Sequence, residues 1–126
     1  MPNRMNELDW TRVLWHFLED HLDQHVLVGR ERQLWDRTRV DILTPDLAIE
    51  CDWAPKWAEA IGQSTWYAIN TDRPAGVCLL VKDTVDEAKY IYRCEMVCVR
   101  LGLTLWLLDT TREEIIIAGT RYPLVV

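Results

Sequence analysis

Apolar residues recur along this chain with two different periods, and the switches between them mark out its elements. Across residues 7–22, Trp10, Val13, Leu14, Phe17 and His21 fall on one stripe at helical spacing. Asn6 is a suitable capping residue for that helix, and Glu7 and Asp9 stand in its first turn, where the dipole favours acids. Strand signals follow at residues 25–35, 38–43 and 47–53, and the turn Thr44-Pro45-Asp46 is short enough to join the last two as a hairpin. Pro55 suits a first helical position, and residues 56–70 read as helix. The runs GVCLLV (76–81) and LTLWLL (103–108) are apolar without alternation, as in strands covered on both faces. Between them, Thr84 with Glu87 predicts a capping box that opens a third helix, and Gly102 closes it. EEIIIAG (113–119) predicts a final edge strand. Covered strands with helices between them predict an α/β sandwich.

Length and composition narrow the class. A chain of 126 residues, 49% hydrophobic and 27% charged, is expected to form one globular domain with its own core. No apolar run approaches the roughly 20 residues of a membrane helix. The opening MPNRMNELDW carries charges where a signal peptide needs an apolar stretch. The expectation is a cytoplasmic protein with no membrane partner. Cys51, Cys78, Cys94 and Cys98 have no zinc-site spacing and read as buried, reduced thiols. His16, His21 and His25 also lack the spacing of a metal motif.

Charge bears directly on function. The formal net charge is −6, whereas proteins held to nucleic acid by their own charge are usually basic. A nucleic-acid partner would therefore need a local basic patch or bound divalent cations. Arg30, Arg32, Arg37 and Arg39 form one candidate patch; the alternative is that they pair with Glu31, Asp36 and Asp41.

Strand alternation places Glu50 and Asp52 on one face and Ile49 and Cys51 on the other. Asp41 lies in the preceding strand signal, between Val40 and Ile42. If those strands pair through the turn at Pro45, three carboxylates converge. Their repulsion is relieved by water, by arginines such as Arg37 and Arg39, by a retained proton or by a cation. Spacing alone leaves a solvated acidic face and a metal site both open. The following helix carries Lys56, Glu59, Gln63 and Tyr67 on one stripe starting beside the acids, with Trp57, Ile61, Ser64 and Ala68 on a stripe suited to the core. An ordinary solvent face is the other account of the polar stripe.

Residues 39–68, RVDILTPDLAIECDWAPKWAEAIGQSTWYA, resemble the core of PD-(D/E)XK nucleases, in particular branches with a QxxxY motif on the following helix. The likeness extends over roughly residues 5–110. It implies a restriction-endonuclease-like fold, an αβββαβ core in which helices flank a mixed sheet, with an added αβ unit at the C-terminus. It also implies that Asp41 and Glu50 bind magnesium, for which manganese would substitute, with the backbone carbonyl of Cys51 as a further ligand. Gln63 and Tyr67 match QxxxY and would hold the DNA strand, with Arg37 and Arg39 as further substrate contacts. The family's E-x-K reads E-x-D here, because Asp52 stands in the lysine's place. Lys56 is the nearest replacement for the catalytic lysine, and Asp52 would complete a second metal position. The literal Pro45-Asp46 is read as turn chemistry.

The functional expectation is magnesium-dependent hydrolysis of DNA phosphodiesters. Two alternatives compete with it: a catalytically inactive module of the same fold used for binding or assembly, and an acidic protein-interaction domain acting as an inhibitor or DNA mimic. Seven tryptophans are many for this length. Trp10, Trp57 and Trp106 are expected in the core, while Trp35 and Trp66 have polar neighbours and are candidates for base stacking or a dimer interface. The apolar end of RYPLVV also points to a homodimer or another protein partner.

Overall fold

The computed structural model describes residues 5–21 and 29–126; of residues 29–31 only the backbone is described. The first helix, α1, spans Glu7–His21. Its start is fixed by a reciprocal cap: Asp9 N–H donates to Asn6 Oδ1 and Asn6 N–H to an Asp9 carboxylate oxygen, both at 2.9 Å. Trp10, Val13, Leu14, Phe17 and Leu18 are its buried stripe, and His21 stacks on Phe17 at a centroid distance of 4.0 Å. Leu22, His25 and the first part of the strand signal at 25–35 lie outside the described residues.

Among the described residues seven strands then form one mixed sheet, and their order in the sheet is their order in the chain. β1 (Gly29–Gln33), β2 (Arg39–Leu43) and β3 (Ala48–Trp53) are successively antiparallel. The β2–β3 turn is held by Thr44, whose Oγ1 accepts the N–H groups of Asp46 and Leu47. A 3-10 turn (Ala54–Lys56) leads into α2 (Trp57–Thr71), so the α-helix begins two residues after Pro55. Asp72, in the left-handed conformation at φ 53°, ends it. β4 (Ala75–Val81) returns parallel to β3, and α3 (Ala88–Leu101) leads to β5 (Thr104–Asp109), parallel to β4. Such parallel pairs require crossovers, and α2 and α3 are the crossovers.

Two readings of local sequence are corrected. Thr84 and Glu87 do not form a capping box. Glu87 Oε1 instead accepts the N–H groups of Lys82 and Asp83, Asp83 Oδ1 caps Val85 and Asp86, and the helix starts at Ala88. The run at 113–119 is not the sheet's edge either. β6 (Glu114–Ile117) pairs antiparallel on both sides, with β5 and with β7 (Thr120–Pro123), which is built from the tail. Ala118 and Gly119 turn the chain there with positive φ. Leu124 packs on the core, and Val125 and Val126 remain exposed.

The sheet carries a core on each face. α1 covers Ile42, Ile49, Cys51, Cys78, Leu80, Trp106, Leu108 and Ile115. On the other side, α2 and α3 cover Val77, Leu79 and Val81. Every residue of β4 is buried, as its unbroken apolar run predicts. β5 is less covered: Leu105 and Leu107 are only partly buried. No helix among the described residues is long and apolar enough to cross a membrane.

Candidate active site at the divergence of β2 and β3

The pairing of β2 with β3 consists of Leu43 opposite Ala48 and Ile42 opposite Ile49. One further step of that register sets Asp41 opposite Glu50, where side chains of an antiparallel pair share a face. Beyond that point a side chain replaces the backbone ladder: Cys51 N–H donates to Asp41 Oδ2 at 2.8 Å. A strand residue's N–H and C=O leave on the same edge, so the Cys51 carbonyl faces the gap that β2 has vacated. The β2–β3 pairing thus ends beside the acids.

Glu50 and Asp52 are each only 5% exposed, despite their charge. On the other side of β3 their register partners in β4 are Val77 and Leu79, which offer no hydrogen bond. Glu50 Oε1 is buried with no hydrogen-bond partner. Burial, followed by the charge of Asp41 and a hydrogen bond with it, pushes the Glu50 carboxyl up to about 11, so it holds a proton at neutral pH. Asp52 accepts the Trp53 N–H at 2.8 Å.

A fourth acid joins these three. Glu7, in the first turn of α1, is raised to about 7, first by burial and then by hydrogen bonding to Asp52 and by the charges of Asp52 and Asp41. Its sequence position gave no sign of this, because an acid in the first turn of a helix already has a sufficient explanation in the dipole. The acids meet in pairs, Glu50 with Asp41 and Glu7 with Asp52. Among the described residues, no three His, Cys, Asp or Glu side chains are gathered as a preformed metal-ligand group. In chemistry the residues nevertheless fit a hard divalent cation: four carboxylates, a strand-edge carbonyl and one buried oxygen lacking any partner.

The helix stripe divides. Lys56, Glu59 and Gln63 are exposed, and the Lys56 ammonium lies close enough to pull the Glu7 pKa down. Tyr67 departs from that stripe: it is buried against Val40, Leu43 and Ala48. Burial and the charges of Glu50, Asp41 and Asp36 push its phenol up to about 12, so it remains a proton donor. Ser64, expected on the core stripe, is fully buried there and donates to the Ile61 carbonyl.

Arg37 and Arg39 are exposed in and after the β1–β2 turn. Among the described residues, none of Arg32, Arg37 and Arg39 forms an ion pair with Asp36. Asp36 instead accepts the Thr38 N–H, the Thr38 hydroxyl and the Trp66 indole N–H. Trp10 and Trp106 are core residues, and Trp57 is partly buried.

Comparison with protein-family models, with curated proteins and with solved structures finds no match for this chain, so its functional reading rests on the residues themselves.

Proposed function

We propose that the chain is a divalent-cation-dependent nuclease with a restriction-endonuclease-like core, hydrolysing phosphodiester bonds of DNA. The observation that carries this reading is Glu50, a buried carboxyl with one bare oxygen, set against an acid from the neighbouring strand. Isolated buried acids lower stability, and Glu50 and Asp52, buried on one strand and paired with the acids Asp41 and Glu7, are expensive without a compensating ion. Magnesium or manganese takes such oxygen donors. Asp41, Glu50 and the Cys51 carbonyl would hold the ion, with Asp52 and Glu7 on the far side as donors for a second position. When bound, such an ion lowers the pKa of a coordinated water and offsets charge on the scissile phosphate.

The chain's own groups supply the rest. Lys56, exposed at the end of the 3-10 turn and within electrostatic reach of Glu7, orients the attacking water or stabilises the phosphate oxygens. Tyr67, kept protonated, offers its O–H from the floor beside Glu50. Gln63 presents an amide from the exposed side of α2 to the substrate strand. Exposed Arg37 and Arg39 supply the local positive charge that the chain as a whole lacks.

Thermal unfolding with added manganese tests the reading. The wild type should be stabilised and Glu50→Gln should not respond. An unchanged wild-type melting temperature at saturating manganese would remove the nuclease proposal. Cleavage of single- and double-stranded DNA, with Lys56→Ala as the control, then separates an enzyme from a second reading, a catalytically silent module of the same fold. Asp52 standing in the lysine's place favours that second reading. A manganese-stabilised protein that cleaves neither substrate would establish it.

A further inference from the structure

The hairpin between β1 and β2 is fastened to α2 by two tryptophans, each donating a hydrogen bond across to the other element. Trp35, next to the hairpin tip, donates its indole N–H to Asn70 of α2, and Trp66 of α2 donates to Asp36 of the hairpin at 2.8 Å. Asn70 is held in turn by its side-chain amide, which donates a hydrogen bond to the Trp66 carbonyl at 2.9 Å. Both indole N–H groups are therefore satisfied, which fixes the rings without burying them. Trp35 is 78% exposed and Trp66 41% exposed. An exposed indole that is also held in place is an unusual use of so large an apolar side chain.

Charge and backbone at the same place point in one direction. Residues 32–39 contain Arg32, Arg37 and Arg39 against the single acid Asp36, a local balance of 3 − 1 = +2 in a chain of net −6. Arg37 occupies the left-handed region at φ 73°, where glycine would be less strained. The turn thus keeps a cation at a position whose conformation disfavours it. The hairpin and the acids also converge on one residue, since Tyr67 follows Trp66 in α2 and its phenol feels Asp36 as well as Glu50 and Asp41.

The geometry points to a stacking platform for single-stranded nucleic acid, with Trp35 and Trp66 receiving unpaired bases and Arg37 and Arg39 meeting the backbone phosphates. Bases offer a π-face to any fixed aromatic ring, and arginine contributes both charge and stacking. A duplex keeps its bases stacked on one another and cannot use the indoles in this way. The choice of nucleic acid as ligand rests on the nuclease reading, which the platform narrows to strands with unpaired bases beside the scissile bond.

Titration of the intact protein with a short oligothymidylate in EDTA, read by indole fluorescence and by anisotropy of labelled strand, tests the platform independently of cation binding. The single strand should quench the fluorescence and bind more tightly than a duplex of equal length. Trp35→Ala should weaken binding about tenfold and Trp35→Phe much less. Arg37→Gly should lower affinity and reduce the salt slope by about one, while leaving the melting temperature unchanged or higher. The platform is overturned by absent quenching, by wild-type affinity in Trp35→Ala, or by preference for duplex. It is equally overturned by self-association of the free protein that Trp35→Ala abolishes, which would give the patch to a second copy of the chain. Single-strand binding by a protein that never cleaves in manganese keeps the platform and ends the nuclease reading. Cleavage in manganese by a protein whose Trp35→Ala variant binds normally does the reverse.

Discussion

β3 and β4 lie side by side in register, and both are buried over nearly their whole length, yet they are written in different chemistry. β4 is apolar at every position. β3 places Glu50 beside Val77 and Asp52 beside Leu79. Apolar residues at those two places would pack and stabilise, as they do one strand away. The difference separates a strand that holds the sheet together from one that carries a site at the expense of stability. Glu50, buried with one oxygen unpartnered, has no structural task that valine or leucine would not perform better.

The comparison can be broken at several points. The largest effect is expected in β4, where Leu79→Ala should cost about 2–5 kcal/mol in denaturant unfolding. A change well below that range would mean that β4 is not the structural strand. In β3 the effect should depend on pH. Glu50 titrates at about 11 in the fold against an ordinary value of 4.5, so the folded state binds a proton that the unfolded chain has lost. Its contribution is therefore complete below about pH 4.5 and declines as pH rises towards 11. Glu7 adds a loss of the same sign between 4.5 and about 7. Melts of Glu50→Gln across this range should be flatter than wild type, and manganese should flatten the wild-type curve by replacing the proton. A wild-type curve that is level between pH 5 and 9 would contradict the proton on Glu50.

Smaller effects sharpen the assignment. Trp66→Phe removes the indole donor to Asp36 and should show as earlier hydrogen exchange in β1 and β2. Lys56→Ala, at an exposed position, should change stability by less than about 0.5 kcal/mol while cleavage in manganese falls by about a hundredfold or more. A stability loss as large as that of a core mutant would make Lys56 a structural residue.

The sequence made the two strands legible to different degrees. The unbroken apolar run of β4 and the alternation at Glu50 and Asp52 follow from the strand's period of two, and register then brought Asp41 opposite Glu50. Glu7 was hidden because the helix dipole already accounts for its position. Tyr67 read as part of a polar stripe, because spacing alone does not distinguish a tyrosine turned into the core from one turned out. β7 was missed because RYPLVV has an apolar end that resembles a docking tail, whereas the turn at Ala118 and Gly119 makes it a hairpin partner for β6. Thr84 matched a capping pattern, but Asp83 and Glu87 already satisfy the local N–H groups.

The agreement between strand order and chain order has a consequence for how the molecule forms. Each strand docks on the one made just before it, the antiparallel pairs closing through turns and the two parallel pairs through the α2 and α3 crossovers. During synthesis, β1 to β4 and α2 can assemble while β5 to β7 are still being added, so the neighbourhood of Asp41 and Glu50 takes shape before the final hairpin exists.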